Sequence, residues 1–158
     1  RQHLGPLEDE ADQRTPLPFV FLLGNHSSGK SSFINHVLER RVQNTGVAPT
    51  DDGFTIIVPG KEDMDQAGPS LVGDPDMGFS GLRSFGPSLI HHTQLKIRKD
   101  LGVNNIILVD SPGMIDSPTD TMANMGPGQV RYDRGYDFDG VTRWFAERAD
   151  VILLFFDP

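Results

Sequence analysis

The feature that most narrows the possible folds is an eight-residue stretch, Gly24-Asn25-His26-Ser27-Ser28-Gly29-Lys30-Ser31, set between two segments of different periodicity. Before it runs Phe19-Val20-Phe21-Leu22-Leu23, continuously apolar, which is how a strand buried on both faces of a parallel sheet reads. After it the apolar residues fall at Phe33, Ile34, Val37 and Leu38, one stripe of a helix, followed by the charged Glu39, Arg40 and Arg41. The chain is therefore predicted to turn from a buried strand, through a glycine-flanked loop, straight into a helix.

The stretch fits G-x-x-x-x-G-K-[ST], in which the glycines let the backbone wrap an anion with its N–H groups pointing inward. Lys30 would place its charge between β- and γ-phosphates and Ser31 would offer a hydroxyl to Mg²⁺, while the helix presents its N-terminal amides. The predicted nucleotide-contacting set is Gly24, Asn25, His26, Ser27, Ser28, Gly29, Lys30, Ser31 and Ser32. The competing structural reading is a Gly-rich strand-to-helix turn with no ligand. Asn25-His26-Ser27 also matches a glycosylation sequon, but a glycan inside the phosphate loop would exclude nucleotide.

Further along, Phe54–Val58 reads as a second strand, followed by a polar, Gly/Pro-rich stretch to about Ser88 and a predicted helix through Ile97. Ile106-Ile107-Leu108-Val109 reads as a third buried strand ending on Asp110. Val141, Trp144, Phe145 and Ala149 share a face of a helix over Val141–Arg148, and Val151–Phe156 is the fourth strand. Strands alternating with helices, each strand apolar throughout, predict a three-layer α/β sandwich with a mainly parallel sheet, whose ligands bind at the carboxyl ends of the strands.

Asp110-Ser111-Pro112-Gly113 therefore stands where an aspartate holds Mg²⁺ and a glycine amide senses the γ-phosphate. In isolation an Asp before Pro-Gly reads as a turn; its position behind a buried strand and a phosphate loop favours the site. Pro49-Thr50 lies between the first helix and second strand, where a switch threonine gives its hydroxyl to Mg²⁺ and γ-phosphate. The plainer reading of Thr50, followed by Asp51 and Asp52, is a side-chain-stabilised turn, and Thr55 is a weaker switch candidate. The predicted catalytic set is Lys30, Thr50, Asp110 and Gly113, and the predicted metal set is Ser31, Thr50 and Asp110. Met114 replaces the glutamine that often orients the attacking water, so slow hydrolysis is expected; Arg131, Arg134 and Arg143 read as ordinary surface cations. Adjacent His91 and His92 point in different directions and read as partly exposed helix residues, not as a metal site.

Composition excludes several classes. The net charge of −8 disfavours nucleic acid and anionic membrane as direct partners. The acids behind it, Glu8, Asp9, Glu10 and Asp12 together with seven between Asp51 and Asp76, read as solvated loops. Without cysteine there is neither a disulfide framework nor a Cys-ligated zinc site, which suits a reducing compartment. The longest apolar runs, Phe19–Leu23 and Val151–Phe156, fall far short of the roughly 20 residues a spanning helix requires. Residues 1–18, with Pro6, Pro16, Pro18 and an acidic cluster, read as a lead-in, and the fold is expected to occupy 19–158. Arg1 in place of Met, and an apolar run that stops just short of Pro158, suggest a piece of a longer chain.

Several segments together resemble the EH-domain-containing branch of the dynamin superfamily. They are the phosphate loop, Pro49-Thr50, Asp76-Met77-Gly78-Phe79-Ser80-Gly81-Leu82 with Phe85-Gly86, Asp110-Ser111-Pro112-Gly113, Arg134-Gly135-Tyr136-Asp137-Phe138, Trp144–Asp150 and Phe156-Asp157-Pro158. The resemblance covers about residues 19–158 and implies the N-terminal part of a dynamin-type G domain, a P-loop NTPase fold, truncated before its base-recognition motif. It implies binding and slow, assembly-stimulated hydrolysis of ATP or GTP with Mg²⁺. It also implies a homodimer or oligomer that meets membrane lipid through regions outside this chain. The expected setting is cytoplasmic, peripheral on endosomal or plasma membrane, in endocytic recycling, with no nucleic-acid partner. His26 and Ser111 depart from the branch, where Tyr or Gln and Thr are more usual. The alternative is a non-hydrolysing, sarcalumenin-like scaffold that binds nucleotide structurally and Ca²⁺ through its acidic stretches, although these lack EF-hand spacing.

Overall fold

Alternation along the strands decides how the layers form, because successive side chains leave a strand on opposite faces. In β1 (Phe19–Gly24), Phe19 and Phe21 join one buried cluster and Leu22 joins the other. The computed structural model describes residues 15–24, 29–43, 53–112 and 136–156. After β1 come α1 (Lys30–Leu38), β2 (Phe54–Pro59), β3 (Met64–Ala67) and α2 (Gly68–Val72). Two 3₁₀ turns, Pro75–Met77 and Ser80–Phe85, lead to α3 (Pro87–His91), β4 (Thr93–Arg98), β5 (Ile107–Asp110), α4 (Phe138–Arg148) and β6 (Val151–Phe155).

Among the described residues these strands form one sheet in the order β3-β4-β2-β5-β1-β6. β1 runs parallel to both β5 and β6, and β2 runs parallel to β4. β2 opposes β5 and β3 opposes β4, so the sheet is mixed with parallel pairs in the majority. One face packs Phe19, Phe21, Phe54, Ile56, Val58 and Val109 against Val141 and Phe145 of α4 and Leu71 of α2. The other packs Leu22, Ile57 and Leu108 against Ile34 and Leu38 of α1. The expected α/β sandwich forms, with strands beginning at 19, 54 and 151 as expected, the strand expected from Ile106 beginning at Ile107 and the helix expected over Val141–Arg148 beginning at Phe138.

Helix α4 begins where Asp137 accepts a hydrogen bond from the Gly140 amide at 3.1 Å, capping an otherwise unpaired donor. Its buried residues, Val141 and Phe145, are one turn apart, and Trp144 and Ala149 are partly buried beside them. No helix among the described residues is long and apolar enough to cross a membrane.

Three expectations change. The helix predicted through Ile97 is a five-residue helix, α3, followed by strand β4. There Thr93 and Leu95 are buried while Gln94 is exposed, a period of two, and pairing with β2 and β3 outweighs helical propensity. The polar stretch before it is not merely a loop: Leu71, Val72, Phe79 and Leu82 within it are core residues. β6 reads as a doubly buried strand yet lies at the sheet edge, with Ile152 43 % and Leu154 60 % exposed.

One glycine in this region is set by close approach: a Cβ on Gly68 would collide with the backbone carbonyl of Ile90 in α3.

Candidate functional site

The parallel register of β1 and β5 pairs Leu22 with Asp110, so the ends of these neighbouring strands come together. β1 ends on buried Gly24, and β5 ends on Asp110, which is 7 % exposed. From this edge the chain enters α1 through Gly29, whose φ of 90° lies in the left-handed region that favours glycine. Lys30 is the first residue of α1 and is 6 % exposed; Ser31 is half-buried and Ser32 exposed in the same turn. Thus Gly24, Gly29, Lys30, Ser31, Ser32 and Asp110 gather at one end of the sheet. Asn25, His26, Ser27, Ser28, Thr50 and Gly113 lie outside the described residues, as do Met114, Arg131 and Arg134.

The Lys30 ammonium donates to Asp110 Oδ1 at 3.1 Å and to the Ser111 carbonyl at 2.6 Å. Ser111 is tied to β1 in turn, its hydroxyl donating to the Leu22 carbonyl at 2.7 Å. Two opposite charges held in a buried site compensate one another's desolvation, whereas either alone would be strongly unfavourable.

Behind the carboxylate lies a polar arrangement that sequence reasoning missed. Gln43 Nε2 donates to Asp110 Oδ2 at 2.6 Å, and Gln43 Oε1 accepts from Lys96 Nζ at 2.7 Å. Lys96 also donates to the Val42 carbonyl at 2.9 Å. The backbone at 42–43 is fastened to α1 by Asn35. Its Oδ1 accepts from the Val42 and Gln43 amides at 2.8 and 2.9 Å, and its Nδ2 donates to the Gln43 carbonyl at 2.8 Å. The usable signal was Lys96, a charge between Leu95 and Ile97, which the helical reading of that segment concealed. Gln43 carries no motif. Thr55 sits opposite Asp110 in the β2–β5 pair, buried within a strand and not in a loop.

Arg143 is exposed on α4, and His91 and His92 are exposed at the end of α3, where His92 Nδ1 donates to the Ser88 carbonyl at 2.7 Å. The described members of the phosphate-loop stretch combine a buried cation with a helix N-terminus, groups that attract an anion. The Ser31 hydroxyl and Asp110 carboxylate are hard oxygen donors, the type Mg²⁺ takes when phosphate and water complete its shell, so the residues present fit that ion.

Fold and site define a phosphate-loop α/β domain. A sequence profile described as "Dynamin family" matches residues 20–157, and the chain belongs to that family. It is 34 % identical over 143 residues to EH domain-containing protein 1 of Arabidopsis thaliana, covering 89 % of this chain and 24 % of that protein. To EH domain-containing protein 2 of Homo sapiens it is 35 % identical over 142 residues, again 89 % of this chain and 24 % of the relative. The chain thus spans about a quarter of the length of these relatives. A solved structure of an oligomerised bacterial dynamin pair superposes with a TM-score of 0.51 at 14 % identity, covering 94 % of this chain and 24 % of that one. That likeness supports the fold alone.

Proposed function

We propose that this chain is the phosphate-binding part of a nucleotide-dependent G domain that binds ATP or GTP with Mg²⁺. In the whole protein the nucleotide is hydrolysed slowly, in an assembly-dependent manner, in the service of membrane remodelling. Residues 19–158 are the N-terminal part of that domain and 1–18 its lead-in. The observation that carries this reading is the buried Lys30 ammonium at the first turn of α1, directly behind the left-handed Gly29 and facing Asp110. A lysine held there has one demanding task, to meet negative charge, and its present partner is a carboxylate that a polyphosphate can replace. Membership of the dynamin family and similarity to EH domain-containing proteins support the same reading.

The roles assigned follow each residue's place in the sequence motifs. Gly24 and Asn25–Gly29 would contact the phosphates, His26, Ser27 and Ser28 through their amides, while Lys30 would supply positive charge to the β- and γ-phosphates and Ser32 would join the set. Ser31, Thr50 and Asp110 would hold Mg²⁺, which would supply charge neutralisation at the transferring phosphoryl group. Gly113 senses the γ-phosphate. Self-association and lipid contact belong to the full-length protein, peripheral on endosomal or plasma membrane.

Calorimetric titration of the full-length protein with ATP and with GTP, each in Mg²⁺, tests this. Saturable binding of either, lost in Lys30→Ala, is the expected result, and the tighter of the two identifies the base. Equal binding by wild type and Lys30→Ala overturns the assignment.

A further inference from the structure

We infer that Gln43 is a positioning residue for Asp110, clamped from behind by Lys96, and that it fixes which carboxylate oxygen faces the cation. The inference rests on the Mg²⁺–nucleotide reading of the site.

The chemistry of the two neighbours leaves the Gln43 amide only one orientation. Its NH₂ meets a carboxylate that only accepts, and its carbonyl meets an ammonium that only donates. A flipped amide would set oxygen against oxygen and NH₂ against ammonium. Gln43 is 6 % exposed and its backbone is bonded on both sides by Asn35, so the side chain is held at its root as well as at its tip. All these groups share the α1 face of the sheet. Lys96 and Asp110 alternate with the opposite-face residues Leu95 and Val109, and Gln43 follows Val42, which packs in the α1-side cluster.

The two oxygens of Asp110 therefore have separate partners, Oδ1 with Lys30 and Oδ2 with Gln43. When Lys30 turns toward phosphate, Oδ1 loses its bond. A carboxylate held by Lys30 alone would then be free to rotate about its side-chain torsions. Gln43 lies outside the phosphate loop, so its bond to Oδ2 persists and leaves Oδ1 open toward the cation. Outer partners of this kind commonly change metal affinity by about 10–100-fold when removed.

The test uses full-length protein and a fluorescent ATP or GTP analogue. Three quantities are read: nucleotide affinity in EDTA, the Mg²⁺ concentration that half-saturates the Mg²⁺-dependent signal, and the melting midpoint without nucleotide. Gln43→Met keeps length and burial but cannot donate; it is expected to raise half-saturating Mg²⁺ by about 10-fold while leaving affinity in EDTA unchanged. Gln43→Asn keeps the amide but is one methylene too short to span Asp110 and Lys96. It keeps a polar amide at this buried position, so it is the variant expected to retain the fold if the methionine variant does not, and it is expected to shift Mg²⁺ in the same direction. Unchanged Mg²⁺ dependence in the folded variants, whatever their melting points, overturns the inference and leaves the nucleotide reading standing. Wild-type protein that binds no nucleotide in either condition overturns both.

Discussion

The two faces of the sheet are built from different materials. On the α4 side Phe145 lies among aromatic rings, with centroids 5.0 Å from Phe54, 5.3 Å from Phe21, 5.3 Å from Trp144 and 6.2 Å from Phe79. On the α1 side the cluster is smaller and its fully buried members are aliphatic, with the partly buried Phe33 and Phe155 at its margin, and beside it run the buried charges of Lys30 and Asp110 with Gln43 between Asp110 and Lys96. Aromatic burial stabilises by area and ring geometry and asks nothing of electrostatics. Buried charges stabilise little in net terms but hold groups in fixed orientation. The difference suggests a division of labour, in which one face keeps the sheet folded while the other keeps reactive groups in place.

That division can be broken at either face. The largest effect expected is from Phe145→Ala, about 3–5 kcal/mol of stability, read by chemical denaturation; nucleotide affinity of the folded fraction should be unchanged, and a large affinity loss would blur the distinction. Next is Lys30→Ala, with a loss of nucleotide affinity on the order of 100-fold, about 2.7 kcal/mol, measured by calorimetry. Because it leaves the Asp110 carboxylate buried without its cation, it should lower stability as well, with the Gln43 hydrogen bond offsetting part of that cost. Ile34→Val, on the aliphatic face, is expected to lower stability by about 0.5–1.5 kcal/mol without a change in affinity.

The smallest effect concerns the far end of the α1 face. There Arg40 Nη1 donates to Asp63 Oδ1 and to the Lys99 carbonyl, each at 2.8 Å, and Arg40 Nη2 makes a second bond to the carboxylate. The Arg40 hydrogen bond, with the Lys99 amide, holds the Asp63 carboxyl well below the usual carboxylate range. A depressed folded value gives stability that is present above the ordinary carboxylate value of about 3.9 and is lost as pH falls toward the lower folded value. Asp63→Asn should therefore flatten the acid limb of a denaturation-versus-pH curve slightly, and high salt should erase the difference because the pair is exposed.

Where periodicity was long and unbroken the sequence was legible. β1, α1 and α4 each carry enough apolar residues at one spacing to declare their type, and the G-x-x-x-x-G-K-[ST] stretch joined two of them. β4 was not legible, because the six residues Thr93–Arg98 alternate with a lysine and an arginine on a short segment that two neighbouring strands stabilise. The stretch from Gly60 to Ser88 hid its core residues among glycines and prolines, since the pair Leu71-Val72 and the separate Phe79 and Leu82 form no sustained repeat. At the site, Lys30 and Asp110 stood out by motif and by strand end, whereas Gln43 and Lys96 meet only after α1, β4 and β5 have packed.

The sequence by itself determined the strand-loop-helix unit around Gly24–Ser31 and the aspartate that ends a buried strand, because local spacing and glycine backbone freedom are properties of neighbouring residues. Only the tertiary structure decided which strands pair, that β2 runs against β5, that β6 takes the edge, and that a glutamine stands between the site carboxylate and a second lysine. Those outcomes depend on residues far apart along the chain, 53 and 67 positions for the two Gln43 contacts, whose meeting no local pattern encodes.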